Sequence, residues 1–201
     1  MPPSPIATAF SPRQVLLFSG HRMDAPDRPQ PRFPATLEAA AAREIARALD
    51  TLGADASDLA LCQAAAGGDL LFLEACVQRG VHCQVLLPLA EPAFVQRSLW
   101  PSTHGAAWQA RWQALKPRLA DPPRVMPDEL GPAAAEGDTF ERCNLWLLDT
   151  ALAWGAHRLQ LICLWDGAAG DGPGGTQHMV QEVERRGGQV CWIDTRRLAA
   201  P

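Results

Sequence analysis

Five short runs, apolar at most positions, constrain this chain more than any other feature: Val15-Leu-Leu-Phe-Ser19, Leu59-Ala-Leu-Cys-Gln63, His82 to Leu87, Leu159-Gln-Leu-Ile-Cys-Leu-Trp165 and Gln189-Val-Cys-Trp-Ile-Asp194. A strand with one wet face alternates apolar and polar residues. Runs that are apolar on both faces read instead as strands covered from both sides, the habit of parallel sheets. Helical spacing fills the gaps between them. Leu37, Ala41, Ile45, Ala48 and Leu52 step along one face while Arg43, Glu44, Arg47 and Asp50 lie off it, and Gly53 marks the stop. Leu70 to Arg79 is apolar nearly all round, which predicts burial between the sheet and another layer, and Gly80 ends it. The resulting β-α-β-α-β order predicts parallel strands with right-handed crossovers. The expected fold is α/β: a Rossmann-like, doubly wound, mainly parallel sheet flanked by helices.

Residues 1–13 read as a flexible arm and 14–201 as a single domain, without internal repeats. In the middle, Phe94 to Leu99 has helical character, and Trp108, Trp112 and Leu115 step along one face of a further helix. Pro117 to Gly137 is rich in proline, with room for a short strand at Arg124 to Met126. Asp138 and Glu141 stand three apart, a capping-box arrangement. They open a helix whose apolar face carries Phe140, Cys143, Leu147, Ala151 and Trp154.

With 201 residues, 47% hydrophobic and 20% charged, the chain has the composition of a globular domain. A net charge of −4 gives no electrostatic reason to expect nucleic acid or an anionic membrane as partner. The six cysteines include no Cys-x-x-Cys pair and four lie in the apolar runs, which suits buried reduced thiols and a cytoplasmic setting. No run reaches the roughly 18 apolar residues of a membrane span. The seven tryptophans are not interleaved with basic residues and read as core. His82 and Cys83 point to opposite faces of a strand, so they cannot chelate one metal. No metal or other cofactor is implied.

Ligands of doubly wound sheets bind at the carboxyl ends of the strands, where the strand order reverses. Three loops here combine glycine with polar residues at such ends: Gly20 to Asp24, Gly67 to Asp69, and Asp166 to Thr176. The third runs into a helix carrying Met179, Val180 and Val183, so that Gly174, Gly175 and Thr176 present backbone N–H groups and the positive end of a helix dipole, a seat for phosphate. His21 and Arg22 follow the first strand and are placed to touch a phosphate or a base. Asp69 suits a helix N-cap. Arg142 and Asn144, in the first turns of the helix opened by Asp138, are candidates for anion contact. Asp166 is either an acceptor for ribose hydroxyls or the turn-forming residue of an Asx turn. A Gly-x-Gly-x-x-Gly after the first strand, a Walker Gly-Lys-Ser/Thr and a Gly-x-Ser-x-Gly elbow are all absent.

Val15-Leu-Leu-Phe-Ser-Gly-His, Ala66-Gly-Gly-Asp-Leu-Leu-Phe-Leu-Glu-Ala, Val85-Leu-Leu-Pro and Gly172-Pro-Gly-Gly-Thr, in that order, resemble the SLOG superfamily, Rossmann-like domains related to the LOG nucleotide phosphoribohydrolases and the DNA-processing protein DprA. The likeness runs from Val15 to Asp194 and is strongest to SLOG-type domains of bacterial signalling proteins that carry tetratricopeptide repeats or cyclase domains. It implies a pocket for a nucleotide or nucleotide derivative over the strand ends. LOG enzymes follow their Pro-Gly-Gly-x-Gly-Thr loop, three residues on, with a catalytic glutamate and have an arginine on the preceding helix. Here that position is Met179, and Arg142 matches the arginine only loosely.

Three readings follow. In the first, the chain is a nucleotide-sensing signalling module, with phosphate on Gly172, Gly174, Gly175 and Thr176, Gly20, His21 and Arg22 flanking, and Gly67, Gly68 and Asp69 as the floor; Arg142, Asn144 and Asp166 add polar contacts. In the second it is a LOG-like N-glycosidase with Glu74, Glu141 or Glu182 as a displaced acid. In the third it is an interaction domain without a ligand. A homo-oligomer joined through Trp100, Trp108 and Trp112 is a further expectation.

Overall fold

Six strands form one sheet in the order β4-β3-β2-β1-β5-β6, and every neighbouring pair runs parallel. They are β1 (Val15–Gly20), β2 (Leu59–Cys62), β3 (His82–Leu87), β4 (Arg124–Val125), β5 (Leu159–Trp165) and β6 (Gln189–Asp194). The architecture comes from a computed structural model that describes residues 10–127, 136–168 and 175–198. The helices are α1 (Glu38–Thr51), α2 (Gly68–Gln78), α3 (Glu91–Ser98), α4 (Gly105–Leu115), α5 (Glu136–Leu152) and α6 (Thr176–Arg185). The α/β doubly wound expectation holds.

The apolar runs are explained by the two faces they serve. In β1, Leu16 and Phe18 enter a core shared with α1, α2 and α4. Val15 and Leu17, pointing the other way, enter a second core with Leu147, Leu148 and Ala151 of α5 and Met179 and Val183 of α6. Beyond α2 lies α4, whose Trp108 and Trp112 are fully buried, so the all-round apolar character of α2 reflects neighbours on both sides. Arg111 of α4 fastens this layer, bonding Glu74 of α2 and Glu38 of α1. Gly53 and Gly80 end α1 and α2 with positive φ, as their places in the sequence suggest.

Four expectations need correction. Residues 10–13 of the arm belong to the fold: Phe10 stacks on His82, and Arg13 donates from Nε and Nη2 to the buried carboxylate of Asp58 at 3.0 and 2.8 Å. Of the arm, residues 1–9 lie outside the described residues. Helix α5 begins at Glu136, so Asp138 lies within its first turn rather than before it. Two of the seven tryptophans are core; Trp100 and Trp192 are about half exposed, and Trp146, Trp154 and Trp165 are partly buried. Trp108 and Trp112 also cannot form an oligomer face, because their own chain covers them. Among the described residues, no helix is long and apolar enough to cross a membrane.

Candidate functional site

From β1 the chain builds outward through β2 and β3 to β4, then returns to the other side of β1 for β5 and β6. The strand order therefore reverses between β1 and β5, and the connections put α1 and α2 on one face and α5 and α6 on the other. Where such a reversal occurs, the loops leaving the two strands diverge and open a crevice at their carboxyl ends. A cavity of about 310 Å³ occupies that crevice.

Gly20 and His21 form its base and Gly175 and Thr176 its α6 side. Gly20 is required because a Cβ there would lie 2.9 Å from the Cβ of Leu164, on the strand beside it. The β1–β5 ladder continues one step past the strand, with His21 N–H donating to Leu164 O at 2.8 Å. Gly175 is the N-cap of α6 in extended backbone, and as a glycine it has no side chain with which to cap the helix. The first N–H groups of the helix thus have no intrahelical partner. Ser19 Oγ donates to Thr176 Oγ1 at 3.4 Å, tying the end of β1 to the start of α6. Gly172 and Gly174 lie outside the described residues.

His21 joins the two sides of the switch. Its Nε2 is 3.1 Å from the backbone N of Asp166, which donates to it, and 3.1 Å from Asp166 Oδ1. One nitrogen cannot accept from the N–H and donate to the carboxylate at once. Burial lowers the imidazole pKa despite the Asp166 carboxylate, which favours the neutral ring and the N–H bond. Asp166 accepts from Ala168 N–H at 3.0 Å, so of its two candidate roles the Asx turn is the one seen. Burial alone would raise its pKa, but the Ala168 N–H and the charge of Arg32 help to hold it below the ordinary carboxylate value.

Arg22 runs antiparallel to Gly67 across a single bridge, with Met23 N–H donating to Ala66 O at 3.0 Å and Gly68 N–H to His21 O at 3.3 Å. Here the chain packs against itself so closely that side chains do not fit. A Cβ on Gly67 (φ 94) would meet Met23 N at 2.6 Å, and one on Gly68 would meet the Phe18 ring at 2.9 Å. These two glycines are therefore packing requirements behind the cavity and are not among its lining residues.

Asp69 is not the N-cap of α2; Gly67 holds that position, and Asp69 lies inside the first turn. Its carboxylate turns back to the loop leaving β2, accepting from Ala65 N–H at 3.1 Å, with the Gln63 and Ala64 amides also directed at it. Burial outweighs these bonds and pushes its pKa up to about 7. The loop it gathers supplies Gln63 and Ala65 to the cavity wall. Asn144 acts at the same point, accepting from Gln63 Nε2 at 2.6 Å without lining the cavity itself. Arg142 does not line it among the described residues either, and its buried Nη2 has no hydrogen-bond partner there.

Several lining residues were not evident from sequence. Arg28 and Arg32 come from the proline-rich loop between β1 and α1, which Asp24 shapes: its Oδ2 accepts from Arg32 N–H at 2.9 Å and Phe33 N–H at 2.8 Å. Ser98 enters from α3, Phe140 from α5 and Trp165 from the end of β5. The arginine spacing Asp24-x-x-x-Arg28-x-x-x-Arg32 at a strand's carboxyl end was the available signal. Arg22 opens to the cavity's solvent, yet protein surrounds its guanidinium closely enough that burial, then repulsion from Arg28, lowers its pKa, with Asp24 opposing.

None of the three glutamates considered as a displaced acid lines the cavity. Glu74 is paired with Arg111, Glu182 with Arg185 and Arg186, and Glu141 faces His178 at 3.9 Å. Among the described residues no cluster of histidine, cysteine and carboxylate groups could hold a metal ion. A larger groove of about 1000 Å³ runs along β6 beside α1. It follows the flank of an edge strand, away from the strand-order reversal, so the smaller cavity is the better candidate. No protein-family model matches the chain, and no curated protein matches it.

Proposed function

We propose that this protein binds a nucleotide or nucleotide derivative in the cavity between β1 and β5 and acts as a sensing module, in keeping with its resemblance to the SLOG superfamily. The observation that carries this reading is the coincidence of a strand-order reversal with a helix N-terminus, its N-cap a glycine, in one cavity wall. A phosphate there accepts from the first-turn N–H groups of α6 and gains from the helix dipole. Trp165 and Phe140 offer apolar surface to a base, and Gln63, fixed by Asn144, offers a directed amide. Hydrolysis is not part of the proposal, because the only carboxylate among the described lining residues, Asp24, is engaged with the backbone of its own loop.

Native mass spectrometry with a mixed nucleotide panel tests the reading: an intact nucleotide should be retained without release of free base. Gly175→Asp sharpens it. Residue 175 has extended backbone open to any residue, and aspartate is a favoured N-cap, so the fold should hold while a carboxylate takes the phosphate's place. Affinity should fall at least about tenfold from like-charge repulsion. Unchanged affinity would place the phosphate elsewhere, and free base with a ribose phosphate would mean a glycosidase.

A further inference from the structure

The two edges of the sheet are built differently. At one end β4 is two residues long, begins with Arg124 and lies between Pro122-Pro123 and Pro127. Short length, charge and proline are the means by which a strand edge is kept from pairing with another chain. At the other end β6 runs six residues, with no proline or glycine and a charge only at its last position, Asp194. Its inner side pairs with β5 along its whole length. Among the described residues, no strand pairs with its outer side.

The two faces of β6 are also incompletely covered. Cys191 and Ile193 turn toward the core shared with α1, and Val190 toward the core shared with α6. Trp192, on the same face as Val190, is half exposed. On the opposite face lies the groove of about 1000 Å³, with Cys191 and Ile193 on one side and Arg43, Glu44 and Arg47 of α1 on the other.

A second copy of the chain fits this edge. A two-fold axis normal to the sheet sets β6 antiparallel to its copy, with residues of the same face opposite one another. Centred on Cys191, the axis puts Val190 of one protomer opposite Trp192 of the other, so the exposed indole gains an apolar neighbour. Asp194 then falls opposite Gly188, which has no side chain, and its ion pairs with Arg196 and Arg197 stay in place. No like charges oppose each other within the ladder. The helices match as well. Because α1 packs against β5 and β6, the two α1 axes stand about two strand spacings apart across such a junction. That is roughly 10 Å, the interaxial distance of packed helices. They run antiparallel there, so the Arg47–Glu44 pair of each can meet the opposite charges of the other.

We propose that this chain pairs with a second copy of itself through antiparallel β6 strands, giving one sheet with six strands from each protomer. The closed pair uses up both unprotected edges and leaves only the short β4 strands at its ends, without need of another protein. The face differs from the one carrying Trp100, Trp108 and Trp112 that the sequence suggests. The inference is independent of the nucleotide reading, because neither α1 nor β6 lines that cavity.

The register makes the test specific. Directly opposed residues of an antiparallel pair have Cα atoms about 4.5–5.5 Å apart, within the span of a disulfide. All six cysteines are free, and Cys191 alone is not buried. Sedimentation of the full chain under reducing conditions should show a concentration-dependent dimer. Oxidation with copper phenanthroline in air should then give a covalent dimer that reductant reverses and that Cys191→Ser lacks. Cys191→Lys directs its side chain into the groove, where the fold has room for it, but opposes two ammonium groups at the axis. Its dimer dissociation constant should rise at least about tenfold, and mixing it with Cys191→Glu should restore association. A chain that sediments as a monomer overturns the inference and leaves the edge to a strand from another protein. A dimer that gives no Cys191 cross-link, or whose affinity is unchanged in Cys191→Lys, overturns it by placing the interface elsewhere. Should the lysine variant not fold, the wild-type cross-link decides alone.

Discussion

Asp69 makes the stability of this protein depend on pH in a direction opposite to that of most carboxylates. Its side chain is buried at the start of α2, gathers the Gln63–Ala65 amides, and has a pKa raised from 3.8 to about 7, with burial as the leading cause. In the unfolded chain the group titrates near its ordinary value. Between those two values the folded state holds a proton that the unfolded state has lost, so the unfolded state binds fewer protons and stability falls as pH rises. The contribution is complete below about pH 4, declines through the acid range and levels off above pH 7. Integrating over those two pKa values, the chain should lose about 2 kcal/mol between pH 5 and pH 7 through this residue alone.

Asp69→Asn removes the titration while keeping the shape and one acceptor. The extra amide donor has a cost of its own, but that cost does not vary with pH. Urea unfolding of both proteins at intervals from pH 5 to pH 8 isolates the linked term as the change in their difference. The variant should gain on the wild type by about 2 kcal/mol from pH 5 to pH 7 and by little more beyond. A difference that stays flat would mean that the loop amides compensate fully for burial. A difference of opposite slope would mean that they overcompensate, and either result refutes the argument.

Two further perturbations probe the supports of the site. Gly67→Ala combines a glycine-only backbone conformation with a Cβ 2.6 Å from a main-chain nitrogen, so it should destabilise by about 3 kcal/mol or more. Gly53→Ala, at φ 61 with nothing within 4 Å of its Cβ, should cost only about 1 kcal/mol; equal costs in urea unfolding would show that the approach of the β1 loop to α2 is not the constraint. Arg13→Ala strands the buried Asp58 carboxylate and should cost about 2–4 kcal/mol at neutral pH. Although burial raises the pKa of Asp58, the bonds from Arg13, Gln14 and the Asp55 N–H bring it below the ordinary value. The stability it contributes is therefore present above the carboxylate range and lost as pH falls, so the gap between wild type and variant should shrink in acid. A gap that widens there would contradict the assignment.

Legibility from sequence differed between strands and side-chain roles for physical reasons. Leu16 with Phe18 and Val15 with Leu17 had to face opposite ways, and both pairs are apolar, so a two-faced parallel sheet could be read directly. Asp69 shows the opposite case. A carboxylate beside a helix start ordinarily caps that helix, but here the positive φ of Gly67 sets the helix entry and turns the Asp69 carboxylate toward the preceding loop. Nothing local distinguishes the two geometries. The tryptophans misled for a similar reason, because large apolar surface marks a core position only when the fold supplies a neighbour, and Trp100 and Trp192 receive too little cover.

The sequence by itself determined the parallel sheet, the helix on each connection and the glycine loops at the strand ends, because hydrophobic periodicity and backbone permissiveness are properties of neighbouring residues. Only the tertiary structure decided that β5 returns to the far side of β1, since strand order depends on contacts between segments more than a hundred residues apart. That return brings Arg28 and Arg32, read from the sequence only as part of a proline-rich loop, to the same cavity as the N-terminus of α6. It also places His21 against Asp166. A site assembled across a strand-order reversal has no local signature, because its members meet only when the sheet closes around them.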